Sequence, residues 1–308
     1  MPEGIIMRST GSWYDVRSED RKVFRCRLRG KFKLKDLKVT NPVAVGDRVI
    51  FELEDVGEAT GVITDIHPRE NYIIRKSVHK SAHGHILATN VDQAMLVATL
   101  AFPRTSLGFI DRFLVTTESF RIPSVVIFNK ADILTEDGLA YQQELTDLYT
   151  ALGYRCLRTS TLTGENIEAF RGLLRGKVTL LSGHSGVGKS SLVNTIAPGL
   201  VLRTSEVSAF ANKGVHTTTF AEMFEVEDNT FIIDSPGIKE LGLADMEKSE
   251  ISHYFPEMRD RLGECRFHNC LHVHEPGCAV TEAVQNGEIA RSRYYNYLSM
   301  LEGDDNRR

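Results

Sequence analysis

Residues 183–190 read Gly183-His184-Ser185-Gly186-Val187-Gly188-Lys189-Ser190, which fills every fixed position of the phosphate-binding pattern G-x-x-x-x-G-K-[ST]. Its chemistry is the cradling of a polyphosphate. The glycines open backbone conformations that turn N–H groups inward toward phosphate oxygens, and the N-terminus of a following helix adds a favourable dipole. Lys189 would reach the terminal phosphates, and the Ser190 hydroxyl is a ligand for Mg2+. Gly183, His184, Ser185, Gly186, Val187, Gly188, Lys189, Ser190 and Ser191 are the expected contacts on the phosphate side.

Asn129-Lys130-Ala131-Asp132 supplies chemistry for a base. The Asp132 carboxylate can accept two hydrogen bonds, from N1–H and the exocyclic amine of guanine. Adenine lacks that donor pair and would leave the carboxylate unmet, at a cost of about 1–3 kcal/mol or more. Asn129 is expected to hold neighbouring loops and the base edge, and the Lys130 stem to cover the base plane. Ser160, Thr161 and Leu162 would complete the pocket through backbone N–H groups. The nucleotide expected from this pair of loops is GTP. Asp234-Ser235-Pro236-Gly237 then offers a second carboxylate for Mg2+, Asp234, and a backbone N–H at Gly237 for the γ-phosphate. Between these motifs runs Gly214-Val215-His216-Thr217-Thr218-Thr219. Spacing does not choose among its threonines; Thr218 is taken as the Mg2+ ligand, and 203–219 as a switch segment ordered by the third phosphate. Small signalling GTPases place a water-orienting glutamine directly after the glycine, but here Ile238 follows Gly237 and cannot orient water. His216, which titrates near neutrality, is the local candidate for that task beside Lys189. The alternative is that His216 only shapes the loop and a partner supplies catalysis.

A third constellation lies near the C-terminus: Cys265, Cys270 and Cys278, with His268, His272 and His274 interleaved. Three thiolates and one imidazole make a closed tetrahedral zinc site, and so compact a loop has little apolar content with which to fold alone. His272 is taken as the fourth ligand, with His268 and His274 as alternatives. No C-x-x-C pair supports a redox reading.

The elements that must position these residues follow from hydrophobic patterning. Val178–Ser182 reads as a buried strand and Ser191–Ile196 as a helix, the context that the phosphate loop requires. Before them come Ala94–Leu100 (strand), Ile110–Ser119 (helix), Ser124–Phe128 (strand), Glu136–Leu152 (helix), Cys156–Ser160 (strand) and Ile167–Leu174 (helix), and Phe231–Ile233 is a further strand. Such alternation means a parallel sheet with crossover helices, and the loops after Phe128, Ser160 and Ser182 should face one ligand at the carboxyl ends of the strands. Ordinary GTPases put the phosphate loop first and the base loop last. Here the order is reversed, which a circular permutation of the same sheet explains. Residues 1–70 carry short alternating runs, Val23–Arg29, Arg48–Leu53 and Gly61–Ile66, separated by turn residues, as in a small barrel such as the OB-fold. The stretch 21–38 holds nine Lys or Arg against one acid. Arg25, Arg27 and Arg29, continued by Lys31, Lys33 and Lys35, read equally as a track for a phosphate backbone or as the solvated face of an edge strand. Residues 69–88 read as a polar linker, and Met246–Leu262 and Thr281–Met300 as two helices. Arg291, Arg293, Tyr294, Tyr295 and Tyr297 on the latter could touch RNA or pack on the zinc loop.

Composition sets outer limits. A net charge of −4 does not announce a nucleic-acid partner, and no apolar run approaches the ~18 residues of a membrane span. Five unevenly spaced cysteines argue for a reducing compartment, and the opening Met1-Pro2-Glu3-Gly4 lacks the pattern of a secretory leader.

Together, the basic barrel, the base loop preceding the phosphate loop, the His216-Thr217-Thr218-Thr219 run and the Cys265–Cys278 knuckle with Glu275-Pro276-Gly277-Cys278 resemble the ribosome small-subunit-dependent GTPases, the RsgA, YjeQ or YloQ family. The resemblance spans nearly the whole chain. It implies an N-terminal all-β OB-fold over 1–70 that binds RNA, a central α/β circularly permuted GTPase domain over 71–244, and a mainly helical zinc-binding domain over 245–308. It implies a GTPase that binds the small (30S) ribosomal subunit and its 16S rRNA, assists late maturation, is stimulated by the subunit and leaves it on GTP hydrolysis. It further implies one structural zinc on Cys265, Cys270, His272 and Cys278, Mg2+ with GTP, a role for His216 in hydrolysis, and a cytoplasmic monomer without membrane contact. Two rival readings are an RNA-binding scaffold that uses nucleotide only for stability, and a GTPase acting on finished ribosomes.

Overall fold

A computed structural model describes residues 1–30, 41–55, 57–76, 84–198, 200, 221–234 and 246–303. The first unit is a barrel of five strands: β1 (Glu3–Ser9), β2 (Tyr14–Ser18), β3 (Val23–Leu28), β4 (Arg48–Asp55) and β5 (Thr60–Ile66). The pairing runs β1-β2-β3-β5-β4 and closes through β4 on β1, antiparallel except for the parallel β3–β5 pair. This is the closed five-stranded order of an OB-fold. Inward positions alternate along the strands and fill the interior with Ile6, Val16, Cys26, Val49, Phe51 and Ile63, all fully buried. The arginine-bearing strand β3 is paired on both sides, so the edge-strand reading of its charges is wrong. Alternation alone does not show whether a strand has one neighbour or two.

The linker expected over 69–88 is also corrected. Strands β6 (Tyr72–Lys76) and β7 (Gly84–Thr89) form an antiparallel hairpin. Ile73, Ile86 and Ala88 bury its inner face, while His79, Lys80 and His83 lie outside the described residues. The hairpin is clamped to the barrel by a two-way amide bond. Asn41 Nδ2 donates to the Ile86 carbonyl at 2.9 Å, and Ile86 N–H donates to Asn41 Oδ1 at 2.9 Å.

The central sheet contains β8 (Gln93–Ala98), β9 (Ser124–Phe128), β10 (Arg155–Arg158), β11 (Val178–Ser182), β12 (Glu222–Glu227) and β13 (Thr230–Asp234), in the order β10-β9-β8-β11-β13-β12. All pairs are parallel except β12–β13, an antiparallel edge that the sequence reading did not include. Along β8, Ala94, Leu96 and Ala98 face one core with helices α1 (Leu107–Ser119) and α2 (Glu136–Ala151). Met95 and Val97 face the other, with α3 (Ile167–Leu174) and α4 (Lys189–Ile196). Burial on both faces explains why β8 reads as a continuous apolar run. The chain leaves β8 toward β9 and β10 but leaves β11 toward β13, so a crevice opens beside the ends of β8 and β11.

The barrel meets this sheet through one bridge, Arg8 to Glu222, and through Arg17, whose guanidinium donates to both carboxylate oxygens of Glu225 at 2.8 and 2.7 Å. The C-terminal region was read as two long helices. It is instead a 3-10 turn (Ile251–Tyr254) followed by α5 (Pro256–Arg259), α6 (Ala279–Gln285) and α7 (Arg291–Glu302). Pro256 opens a new helix because it lacks an N–H for the preceding turn, and Gly287, at φ +78°, takes a left-handed conformation that ends α6. Val115 of α1 joins the core formed by Ile251, Phe255, Met258, Val280 and Tyr297. Among the described residues no helix is long and apolar enough to cross a membrane.

Asp47 anchors the junction between barrel and hairpin. Fully buried, it accepts the Ala44 N–H at 2.8 Å and both Arg69 Nε and Nη2 at 2.7 Å. Asp47→Ala would strand a buried guanidinium. It should destabilise the chain by about 3–5 kcal/mol, read as a lowered urea midpoint; an unchanged midpoint would contradict this account.

Candidate nucleotide and metal sites

The phosphate loop rises from β11 and ends on Gly188, the residue before α4, at φ +94°. A Cβ at Gly188 would lie 2.4 Å from Asn129 Nδ2, and one at Gly183 only 2.3 Å from the Val97 carbonyl oxygen. These two glycines are therefore required by close approach as well as by backbone angle. Through the gap at Gly188, Asn129 Nδ2 donates to the Val187 carbonyl at 2.8 Å, while Asn129 Oδ1 accepts the Thr159 hydroxyl at 3.0 Å. One buried amide thus ties the loop after β9, the loop after β10 and the phosphate loop into a single rim. Its own N–H donates to the Ala98 carbonyl at 2.8 Å, which fixes it to β8 as well.

Lys130 adopts φ +61° and starts a 3-10 turn, Ala131–Ile133, that presents Asp132 at the exposed mouth of the crevice. The Ser160 hydroxyl donates to Asp132 Oδ1 and accepts the Thr163 N–H at 3.2 Å, so the second loop holds the carboxylate in place. Ser160 is fully buried, whereas the Leu162 side chain is 82% exposed, and Thr161 lies between them. Only the backbone at Leu162 is placed to serve a pocket. Lys130 Nζ donates to the Phe102 carbonyl at 2.8 Å, drawing the loop after β8 against the same crevice. Lys189 Nζ donates to the carbonyls of Gly183 and His184 at 2.7 and 2.8 Å, so its ammonium lies within the bowl of the loop. The His184 ring packs on Phe109 of α1, with centroids 3.9 Å apart. Ser185 and Gly186 are exposed at the loop's outer turn and Val187 is buried beneath it, while Ser190 and Ser191 follow Lys189 in the first turn of α4. Asp234 is opposite Leu181 in the β11–β13 ladder and leaves the same edge of the sheet as the phosphate loop. A hydroxyl at Ser190 and a carboxylate at Asp234 on one rim suit a hard, oxygen-seeking divalent ion. His216, Thr218, Gly237 and Ile238, with the whole of 203–219, lie outside the described residues.

Cys265, Cys270, His272 and Cys278 converge, with their ligand atoms all within 4.8 Å of one another. Cys265 Sγ is 3.6 Å from His272 Nδ1 and 3.9 Å from Cys278 Sγ, and His272 Nδ1 is 3.4 Å from Cys278 Sγ. Separations of this size suit four ligand atoms around a single metal ion, and the cluster could hold one. His268 and His274, the two alternative ligands, are not in the cluster. Burial pushes the Cys270 thiol up to about 12, so thiolate character there needs a cation. The sequence reading gave Glu275 no role, but its carboxylate accepts the N–H groups of Leu271, Val273 and His274 at 2.8, 2.8 and 3.0 Å. Burial alone would raise this carboxyl, yet the backbone donors outweigh it and bring it down to about 2. Tyr294 and Tyr297 of α7 each donate a hydroxyl at 2.7 Å to the knuckle, at the carbonyls of His272 and Leu271. The mixed face of α7 is thus divided: Arg293 is buried and the two tyrosines hold the Cys/His knuckle, while Arg291 and Tyr295 are exposed.

On the barrel, Arg27 pairs with Glu54 at 2.7 Å, Arg29 with Glu52, and the Arg25 guanidinium lies 4.8 Å from the Trp13 ring centre. These pairs are solvent-exposed, so they contribute little stability and open cheaply to another anion. Lys31, Lys33 and Lys35 lie outside the described residues.

Comparison with known proteins gives a consistent picture. The family model for the RsgA GTPase matches residues 66–244, and that for the RsgA N-terminal domain matches residues 3–63. A Bacteroides fragilis protein called small ribosomal subunit biogenesis GTPase RsgA is 52% identical over 300 residues, covering 97% of this chain and 96% of the relative. One of the same description from Christiangramia forsetii is 50% identical over 304 residues, covering 98% and 96%. Among solved structures, YjeQ from Thermotoga maritima superposes with a TM-score of 0.80 at 38% identity, covering 98% of each chain. YloQ, described as a circularly permuted GTPase, gives 0.75 at 30% identity, covering 100% of this chain and 96% of the other.

The Asn129 bridge has a measurable consequence. Asn129→Ala and Gly188→Ala should each weaken GDP binding at least about tenfold, the equivalent of about 1.4 kcal/mol, in a fluorescent-nucleotide titration. Unchanged affinity in both would show that the three loops do not depend on the bridge.

Proposed function

The chain belongs to the RsgA GTPase family, and on that premise we propose that it hydrolyses GTP to GDP and phosphate on the small (30S) ribosomal subunit, assists that subunit's late maturation, and is released by hydrolysis. The observation that carries the reading is the Asn129 amide, which joins a base loop ending in Asp132 to a phosphate loop ending in Lys189 and Ser190. Two loops so joined fit one ligand that has a base at one end and a polyphosphate at the other.

In this reading Asp132 accepts N1–H and the 2-amine of guanine, with Ser160 orienting the carboxylate and the Thr161–Leu162 backbone closing the pocket. The Lys130 stem covers the base, and Asn129 keeps base and phosphate ends in register. Backbone N–H groups from Gly183 to Ser191 surround the phosphates. Lys189 turns from its loop carbonyls to the β- and γ-oxygens and neutralises charge that grows during transfer. Mg2+, held by Ser190 and Asp234 with Thr218 joining when GTP is bound, would supply further neutralisation of the phosphate oxygens. Gly237 N–H would meet the γ-phosphate. With no glutamine at position 238, His216 orients the attacking water, and stimulation by the subunit reflects its placement.

Cys265, Cys270, His272 and Cys278 hold one structural zinc, a reading supported by three thiols and an imidazole at tetrahedral spacing. The barrel, with Arg25, Arg27 and Arg29, faces 16S rRNA, its surface ion pairs exchanging carboxylates for phosphates. The working units are 1–70, 71–244 and 245–308. The protein acts as a monomer in the cytoplasm, where Cys26 and Cys156, the two cysteines outside the knuckle, stay reduced.

Two experiments test the reading. Asp132→Asn replaces one acceptor with an amide N–H that matches a 2-carbonyl and clashes with a 2-amine. GTP turnover should fall about a hundredfold while xanthosine triphosphate becomes the better substrate; a retained preference for GTP would contradict guanine reading by Asp132. Elemental analysis should find about one zinc per chain, lost in Cys270→Ser with a lowered melting temperature. Full metal content in that variant would remove Cys270 from the site.

A further inference from the structure

Helix α1 is shared between two parts of the molecule. Its first turn begins at Ser106, whose hydroxyl accepts the Phe109 N–H at 3.2 Å, and Phe109 carries the His184 ring of the phosphate loop. The His184 carbonyl in turn accepts Lys189 Nζ. Two residues after Phe109, Asp111 is fully buried and faces the C-terminal region. Asp111 Oδ1 accepts Arg293 Nη1 at 2.7 Å and the Tyr149 hydroxyl at 2.8 Å, and its Oδ2 accepts Asn296 Nδ2 at 2.5 Å. Arg293, 1% exposed, also donates to both oxygens of Glu257, at 2.7 and 3.1 Å, and its guanidinium lies 4.5 Å from the Phe255 ring centre. Further along α1, Glu118 pairs with Arg259 at 2.9 Å.

A buried group of two carboxylates around one guanidinium costs desolvation that apolar packing of equal volume would avoid. What such a group supplies is a fixed geometry: a planar fork meets two carboxylates from different elements, and neither can slide without leaving a charge unpaired. Here the elements are α1 of the GTPase unit and α5 and α7 of the metal-bearing unit. The same first turn of α1 also carries the phosphate loop: Phe109 precedes Asp111 by two residues, about 200° around the helix, so the two side chains face opposite ways.

We propose that Asp111 and Arg293 are positioning residues of the nucleotide site: through α1 they set the placement of His184 and the phosphate loop, so that nucleotide binding and docking of the C-terminal helices are linked. The linkage is reciprocal. Nucleotide that orders the phosphate loop tightens the seat of α7, and loosening that seat weakens nucleotide binding at a residue that touches none of it. This route is distinct from the chain segment that follows Asp234, which leads directly into the C-terminal region. The inference rests on residues 183–191 binding nucleotide.

Amide hydrogen exchange of the full chain with and without GDP tests it. GDP should slow exchange in α7 several-fold. Phe109→Leu keeps an apolar, though smaller, side chain and removes the ring under His184; it should abolish that response while leaving α7 exchange without GDP unchanged. Arg293→Lys, which keeps the charge but loses the fork, should weaken GDP binding about five- to tenfold. Combined with Phe109→Leu, its effect should be markedly less than the product of the two single effects. Failure of the parent chain to bind GDP would overturn the nucleotide reading itself. GDP binding with α7 exchange unmoved, or a response that survives in Phe109→Leu, would overturn the linkage alone.

Discussion

The nucleotide crevice depends on one side chain being able to reach through one gap. Asn129 is buried, and its amide has a donor end and an acceptor end, so it can satisfy a carbonyl in the phosphate loop and a hydroxyl in the second base loop at once. Aspartate offers no donor for Val187, and a longer side chain would not fit beneath Gly188. Without the amide, three loops from three strands would each be placed only by their own anchors. With it, the base end and the phosphate end of the crevice share a reference point, which oriented transfer requires.

Sheet order matters for the same reason. Because β9, β10 and β11 run parallel to β8, their loops emerge on one edge whatever their order along the chain. Permutation leaves the crevice intact and changes what is joined to it. The barrel now attaches at the β12 edge, through Arg17 and Glu225, and the C-terminal helices with the Cys/His cluster attach on α1. Both attachments use buried or half-buried arginine forks, which define an orientation more sharply than an apolar face of equal area.

Much of this was legible from sequence because the signals were local. Strand Ser124–Phe128 and helix Ile167–Leu174 have the bounds that periodicity gives, and residue type brings out the three cysteines of the knuckle, while spacing leaves three histidines of which the fold brings only His272 to them. What escaped was non-local. The partner of β3 on each side, the hairpin within a polar stretch and the antiparallel strand β12 are set by neighbours distant in sequence. The polar stretch misled because Tyr72, Ile73 and Ile74 are few among charges, yet one buried face of a hairpin needs no more. From sequence, Arg293 is only one of a mixed set that could touch RNA or pack on the zinc loop, and Asp111 and Glu257 draw no notice, since no spacing announces that residues 182 positions apart will meet. Glu275 could have been suspected: an acid within the Cys/His knuckle, followed by Pro-Gly, is well placed to accept loop N–H groups.

The measurement closest to the central claim is nucleotide turnover by the purified, zinc-loaded protein, with GTP and with ATP, in the presence and absence of small ribosomal subunits. The account predicts slow GTP hydrolysis alone, large stimulation by the subunit, and no significant ATP hydrolysis in either condition. GTP turnover indifferent to the subunit, or ATP hydrolysed as well as GTP, would contradict it.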